Sequence, residues 1–214
     1  MKPRRAVVTP GCWPTNLPMD LFTPFARYRR ATALHEGGHA VVAEILFPHL
    51  VKEVQIGSVS PLSDTLQEIV RETKAGFADG QVVYEIMLVD DADDASDKLL
   101  KRIVVVSAGI EFQSMEGFEA PDLEVTVEAE GLLIQATLKQ WEKEFNVLPD
   151  AQLQILDKVE GLVADLRRDG GVRKAVTQVA EKLMISSAIS GSCVRQIVEI
   201  NCASALLARM RARL

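Results

Sequence analysis

The sequence predicts an α+β fold that is mainly helical, with a long first helix, a small sheet directly after it, and then a C-terminal helical bundle. Apolar residues recur at helical spacing along most of the 214 residues. Two short segments, 51–59 and 80–89, instead show the alternation or the β-branched and aromatic residues that are typical of strands. Only 5% of the residues are aromatic, so we expect an aliphatic core.

The first helix is predicted from residue 24 to residue 46. Thr23 and Pro24 supply an N-cap and a first-turn proline, and Pro48 follows the end of the helix. Prolines also interrupt residues 1–22, which we expect to form an irregular N-terminal arm. Between the two strands, residues 61–74 are ambiguous, with a short helix around 66–71.

Every later element is predicted to be a helix. We expect helices at 96–115, 123–145 and 149–168, the last of them opened by Pro149 and closed by Gly170 and Gly171. Two more follow, one at 172–184 and one from residue 192 towards the C-terminus. We therefore predict a single domain over residues 23–214.

The most informative motif is the HExxH sequence His35-Glu36-Gly37-Gly38-His39, in a chain with only three histidines. Residues four apart in a helix lie on the same face, so His35 and His39 can bind one Zn²⁺. Glu36 lies beside them, where its carboxylate can act as a general base towards water. Gly37 and Gly38 disfavour a helix, which indicates that another element packs closely against them.

The third ligand of such a site has to come from elsewhere, because a catalytic zinc site takes three protein ligands. His49 lies just beyond the helix and would have to fold back over it. Asp122 follows Pro121 and precedes an apolar helical segment, which suits a carboxylate held at a helix N-terminus. An aspartate there is most often only a helix cap, so the residues alone leave the third ligand open.

Composition argues against several classes of function. The net charge of −6 and the lack of a long basic run argue against nucleic acid as a partner. No run of about eighteen apolar residues is present, so we expect no membrane span. The three cysteines form no CxxC pair and fit reduced thiols in the cytoplasm. The aspartates of segment 90–97 lack EF-hand spacing, and we expect them at a helix start instead.

Several segments resemble the FtsH-type ATP-dependent zinc metalloproteases. Segment 33–46, ALHEGGHAVVAEIL, is similar to the zinc-binding helix of that family, with its HEAGHA core. Segment 102–117, RIVVVSAGIEFQSMEG, resembles the RIxVxLGGRAAEExxFG helix, and segment 121–126, PDLEVT, resembles NDLxxAT. Segment 180–199 is similar to the pattern that closes the peptidase domain. The segments follow the family order over most of residues 24–200.

The resemblance implies a peptidase domain with a zinc-binding part at 23–125 and a helical part at 126–214. His35, His39 and Asp122 would hold Zn²⁺, and Glu36 would be the catalytic base. An edge strand would bind an extended polypeptide substrate through its backbone. That strand is placed at Gly80, Gln81, Val82 and Val83, with residues 76–77 as the alternative.

The chain also departs from the family pattern. It contains no GxxxxGK[ST] phosphate-binding loop and no membrane anchor, and segment 107–113 lacks the arginine of LGGRAAEE. Pro121 stands where the family has asparagine before the ligand aspartate. Assembly into a homo-oligomer and supply of a partner ATPase in trans are therefore left open.

Three functional hypotheses follow from these observations. The favoured one is a cytoplasmic zinc-dependent endopeptidase that hydrolyses flexible or unfolded polypeptides, with no ATPase in the same chain. The alternative is a regulatory or binding module on a protease scaffold, metal-bound but with little or no turnover. A repressor-cleaving HExxH protease is the third, and the order of the C-terminal helices fits it less well.

Overall fold

The computed structural model describes residues 24–57, 80–84, 92–116, 123–146 and 148–204, together with residues 206, 208 and 210. The predicted N-terminal arm, the short helix around 66–71 and the second half of the second predicted strand lie outside these ranges. Within them the fold is mainly helical with a small antiparallel sheet, as the sequence predicts. No described helix is long and apolar enough to cross a membrane.

The elements follow the predicted order closely. Helix α1 spans Pro24–Leu46, strand β1 spans Val51–Ile56, and strand β2 spans Gly80–Tyr84. Helix α2 spans Ala92–Gln113 and continues into a 3-10 turn at Ser114–Glu116. The remaining elements are α3 (Leu123–Phe145), α4 (Pro149–Arg168), α5 (Gly170–Ser186), β3 (Ala188–Ser190) and α6 (Gly191–Asn201).

Helix α1 is the centre of the core because it is apolar on every side rather than along one stripe. From Ala33 to Leu46 nearly every side chain is buried, and α2, α5, α6 and the sheet pack around it. Glu44, within this buried stretch, accepts a hydrogen bond from Nε of Arg195 at 3.0 Å, which joins α1 to α6. The buried apolar residues form one core cluster that extends as far as Met210.

The sheet has the strand order β2-β1-β3, and both pairings are antiparallel. Val54 of β1 pairs with Val82 of β2 on one side and with Ile189 of β3 on the other. The sequence does not predict β3, which is only three residues long and lies between two strongly helical segments. Among the described strands, β2 is therefore an outer strand of the sheet.

The prediction that Gly170 and Gly171 close the preceding helix is wrong, because they open α5. Asp169 is the N-cap of α5, and its carboxylate accepts a hydrogen bond from the backbone N–H of Gly171 at 2.8 Å. The α-carbon of Gly171 also faces the carbonyl group of Asn201 so closely that no side chain fits. The Asp169 cap explains why the helix begins here, and the close contact with Asn201 explains why Gly171 has to be a glycine.

Gly191, the first residue of α6, gives a test of this packing. Its α-carbon lies against the carbonyl group of Val51 in β1, and a methyl group has no room there. We expect Gly191→Ala to lower the free energy of unfolding by about 1–3 kcal/mol, the usual cost of overpacking. Urea unfolding measures the change.

Gly161→Ala is the matched control, because open space surrounds Gly161 in α4. Alanine is favoured over glycine in a helix by roughly 0.5–1 kcal/mol, so this variant should be slightly more stable than the parent chain. Equal stability of Gly191→Ala and the parent chain would contradict the close approach of α6 to β1.

Candidate metal centre

His35 and His39 lie one turn apart on α1 and direct their rings to the same place, as the HExxH motif predicts. Their Nε2 atoms are 3.0 Å apart. A carboxylate joins them, since Oε1 of Glu130 on α3 lies 3.0 Å from Nε2 of His35 and 3.1 Å from Nε2 of His39. Among the described residues, no other cluster of His, Cys, Asp or Glu side chains is arranged so that it could hold a metal ion.

Helix α2 holds the far side of each imidazole ring. Nδ1 of His35 donates a hydrogen bond to Oε1 of Gln113 at 3.0 Å, and Nδ1 of His39 donates to the carbonyl oxygen of Val105 at 2.8 Å. Because both partners are acceptors, the ring protons are assigned to Nδ1. The lone pairs on both Nε2 atoms then face Glu130, which is the orientation that metal-binding histidines need.

The two rings rest on Gly109 of α2. A methyl group at Gly109 would lie 2.5 Å from Nε2 of His39 and 2.7 Å from Cε1 of His35, which is closer than van der Waals contact allows. Only glycine leaves room for both imidazoles at this point of the helix.

The glycines inside the motif have a related role. A methyl group at Gly38 would lie 2.8 Å from the carbonyl oxygen of Ala108 in α2, and one at Gly37 would lie 3.3 Å from that of Val176 in α5. The pair therefore allows α2 and α5 to approach α1 from two sides. This confirms the prediction that other elements pack closely against the glycines of the motif.

Glu130 is a buried carboxylate, and its negative charge is unfavourable there unless a cation lies nearby. It is only 7% exposed, and neither of its oxygens receives a hydrogen bond from the described residues. Burial of a charge without compensation is costly. With both Nε2 atoms unprotonated, three acceptor atoms face one another, and a cation shared between them would remove the repulsion.

The pKa values reflect the same need for positive charge. Burial lowers the pKa of His39, but its close contact with Glu130 and the negative charges of Glu36 and Glu130 outweigh this effect and raise the pKa above its usual range. Burial raises the pKa of Glu130, yet the contacts with His35 and His39 hold it below the usual range. Both shifts have the same main cause, the close contact between the imidazoles and a buried carboxylate.

The three donor atoms suit Zn²⁺. Two imidazole nitrogens and one carboxylate oxygen form the His₂Glu ligand set that is found in one class of catalytic zinc sites. In a tetrahedral site with bonds of about 2.0–2.1 Å, the ligand atoms lie about 3.3 Å apart. The distances of 3.0–3.1 Å observed here are close to that spacing, so only a small outward movement is needed.

Glu36 lies in the wall of a cleft that leads to this cluster. A methyl group at Gly80 in β2 would lie 2.5 Å from Oε1 of Glu36, so the strand backbone and the carboxylate are in close contact. The cleft has a volume of about 500 Å³, and His39 and Glu130 also line it. Alternate residues of β2, from Gly80 to Tyr84, form part of the same wall.

The predicted site residues have different outcomes. His35, Glu36 and His39 lie where the motif predicts. Asp122 lies outside the described residues, so its role as the third ligand stays a prediction, whereas the third donor atom found in the structure belongs to Glu130. Of the predicted substrate-binding residues, Gly80 and Val82 line the cleft, and Gln81 and Val83 belong to the same strand.

Sequence reasoning missed Glu130, although a signal for it exists. Glu130, Ile134, Leu138 and Trp141 are three or four residues apart, so they lie on one face of α3, and the last three are apolar. Leu138 and Trp141 are buried, and Ile134 packs against the core. A carboxylate that interrupts an apolar, buried helix stripe is uncommon and marks a candidate ligand.

Comparisons with known proteins do not assign a family to this chain. No protein-family model matches it, and no curated protein has a significantly similar sequence. The chemistry of the site itself therefore has to support any functional conclusion. Two residues of segment 102–117, Gly109 and Gln113, contact the imidazoles directly.

The identity of the third ligand can be tested by measuring zinc affinity. We expect Glu130→Ala to weaken Zn²⁺ binding by more than the roughly 10- to 100-fold that loss of an outer-shell partner costs. Asp122→Ala should change the affinity much less, because the donor set of His35, His39 and Glu130 stays intact. Competition with a chromogenic chelator gives both dissociation constants, and the reverse ranking would assign the ligand to Asp122.

Gly109 gives a test of the site that removes no ligand. We expect Gly109→Ala to weaken zinc binding by about 10- to 100-fold, as expected when the orientation of ligating imidazoles is disturbed. Gly131→Ala is the control, because it adds the same methyl group beside Glu130 in open space. If both variants bind zinc as the parent chain does, the packing of the rings on α2 does not govern affinity.

Proposed function

We propose that the protein is a zinc-dependent endopeptidase that hydrolyses peptide bonds in flexible or unfolded polypeptides. The observation that carries the proposal is the convergence of His35, His39 and Glu130 beside one cleft, with the carboxylate of Glu36 in its wall. The sequence resemblance to FtsH-type peptidases supports it, because the segment that contains Gly109 packs against the motif as a zinc-binding helix requires.

The residues of the site have separate roles in this proposal. His35 and His39 would hold the metal through Nε2, and Glu130 would hold it through a carboxylate oxygen. Bound zinc supplies Lewis acidity, which activates water and polarises the scissile carbonyl group. Glu36 is not one of the three donors, so its carboxylate can accept the proton of the attacking water and deliver it to the leaving amine.

Strand β2 is the proposed substrate-binding element. Among the described strands it pairs only with β1, so its outer edge can pair with an extended peptide. Pairing through backbone groups provides affinity without requiring a particular sequence, which suits an unfolded substrate. Because Gly80 touches Glu36, a peptide along this strand would pass close to the catalytic base. The alternative edge at residues 76–77 lies outside the described residues.

The cellular setting is part of the same proposal. The odd number of cysteines and the lack of a CxxC motif fit reduced thiols, which favours the cytoplasm. A net charge of −6 argues against nucleic acid as a partner. The resemblance to FtsH-type peptidases raises the prospect of a homo-oligomer and of a partner ATPase that delivers unfolded chains in trans.

The catalytic role of Glu36 can be tested with Glu36→Gln. We expect this variant to cleave a fluorescently labelled, unfolded casein at least about 100-fold more slowly than the parent chain, because general acid–base catalysis contributes 10²- to 10⁴-fold. Its zinc content should be unchanged, since Glu36 is not a ligand. Elemental analysis measures the metal, and unchanged turnover in the variant would refute the assignment of the base.

Chelation of the parent chain provides the accompanying control. Removal of zinc should abolish cleavage, and stoichiometric zinc should restore it, because Glu36 has no activated water without the metal. If the parent chain binds zinc but cleaves no unfolded substrate, the alternative of a metal-bound regulatory or binding module is supported instead.

A further inference from the structure

The cleft beside the metal centre is larger than the reacting groups require. Apart from Glu36, His39 and Glu130, most of its wall is apolar, and the residues come from the turn after α1 and from β2, α2 and α3. These apolar residues are Phe47, Leu50, Val82, Val106, Leu133 and Trp141. Such a wall suits an apolar side chain of a bound peptide.

Arg102 is the one lysine or arginine in the described lining of this cleft. It lies on the same face of α2 as Val105, which holds His39, and Gly109, which supports both imidazoles. Seven helical residues separate Arg102 from Gly109, which corresponds to about 10 Å along the helix axis. An extended peptide advances about 3.3 Å per residue, so Arg102 lies within about three residues of a bond cleaved at the metal centre.

Among the described residues, no carboxylate forms a direct ion pair with Arg102. Other cations in that part of the chain have such partners, for example Lys101 with Asp97 at 2.6 Å and Arg195 with Glu44 at 3.0 Å. Arg102 is half-buried, which makes an unbalanced charge more costly than at an exposed position. The planar guanidinium group matches a carboxylate in size and geometry and can form two parallel hydrogen bonds with it.

Tyr84, at the end of β2, shares this part of the cleft with Arg102. Although 38% of the residue is exposed, burial around its hydroxyl group raises the pKa above the usual range. The charges of Glu36 and Glu130 raise the pKa further, and the charge of Arg102 acts in the opposite direction. The hydroxyl group therefore stays protonated and can donate a hydrogen bond to the same anion.

We propose that Arg102 binds a substrate carboxylate, so that the cleft selects peptides with a carboxylate within about three residues of the scissile bond, next to an apolar residue. The carboxylate can belong to the C-terminus of the peptide or to an acidic side chain. This inference rests on the proposed peptidase function, and it adds a specificity that backbone pairing along β2 does not provide.

The experiment uses one apolar peptide in matched forms. The first pair ends in a free carboxylate or in an amide, and the second pair is amidated and carries Asp or Asn at an internal position. We expect the parent chain to prefer the charged member of at least one pair by about 10- to 100-fold in kcat/KM, because charge-assisted hydrogen bonds are strong. A preference in the first pair assigns the carboxylate to the chain terminus, and one in the second pair assigns it to a side chain.

Variants of α2 identify the residue that is responsible. Arg102→Ala should reduce the preference to about 1, and Arg102→Lys should retain part of it, because lysine keeps the charge but not the planar geometry. Lys98→Ala is the matched control, since it removes a cation one turn earlier on α2 that does not line the cleft. A preference that survives Arg102→Ala would overturn the proposal.

A binding measurement separates this inference from the proposed function. The zinc-loaded Glu36→Gln variant is titrated with the same peptides, with and without Arg102→Ala, and peptide fluorescence anisotropy gives the dissociation constants. If the parent chain cleaves charged and amide peptides equally, the peptidase proposal stands and the role of Arg102 is overturned. If no peptide is cleaved but the charged form binds more tightly only when Arg102 is present, the role of Arg102 is supported and the peptidase proposal fails.

Discussion

Three hydrogen-bond acceptors held face to face are the constraint on which the site depends. The carbonyl group of Val105 and the side chain of Gln113 fix the ring protons of His39 and His35 on the outer side. Both unprotonated nitrogens then point at the buried carboxylate of Glu130. A shared cation would relieve the repulsion among these three atoms, and their positions are those of a candidate metal site.

The packing of α1 serves the same geometry at a cost in helix propensity. Two adjacent glycines in a helix interior cost roughly 1 kcal/mol each relative to alanine. They lie where α2 and α5 approach the motif, and Gly109 leaves space for the imidazole rings on α2. The imidazoles are therefore held by backbone contact on one side and by hydrogen bonds on the other. Little freedom is left for the rings to reorient, which is how pre-organised metal sites are built.

The two histidines of the site could be predicted from the sequence, and the carboxylate from a distant helix could not. His35 and His39 are one helical turn apart, so the motif alone places them together. The third donor depends on how α3 docks, and no local pattern specifies this. Helix boundaries at Pro24 and Pro149 were predictable because proline marks a first turn. Strand β3 was not, since three residues carry no periodicity that distinguishes a strand from a turn.

The start of α5 shows the same limit. A pair of glycines such as Gly170 and Gly171 is typical of the end of a helix. Here the carboxylate of Asp169 caps the N-terminus of α5, so the two glycines begin a helix instead. Arg102, Tyr84 and Trp141 are unremarkable in the sequence, because each lies in an ordinary amphipathic or alternating segment. They become a group only after α2, β2 and α3 are assembled around one cleft.

Helix α3 packs mainly against α2, and its outward leucines, Leu132 and Leu133, are 59% and 47% exposed. A cation held jointly by Glu130 and the two imidazoles would fasten this loosely attached helix to the central one, in the manner of a staple. Leu133 and Trp141, which complete the cleft, belong to that helix. Metal binding and the docking of α3 would thus be thermodynamically coupled, so that binding of the cation would also stabilise the shape of the cleft.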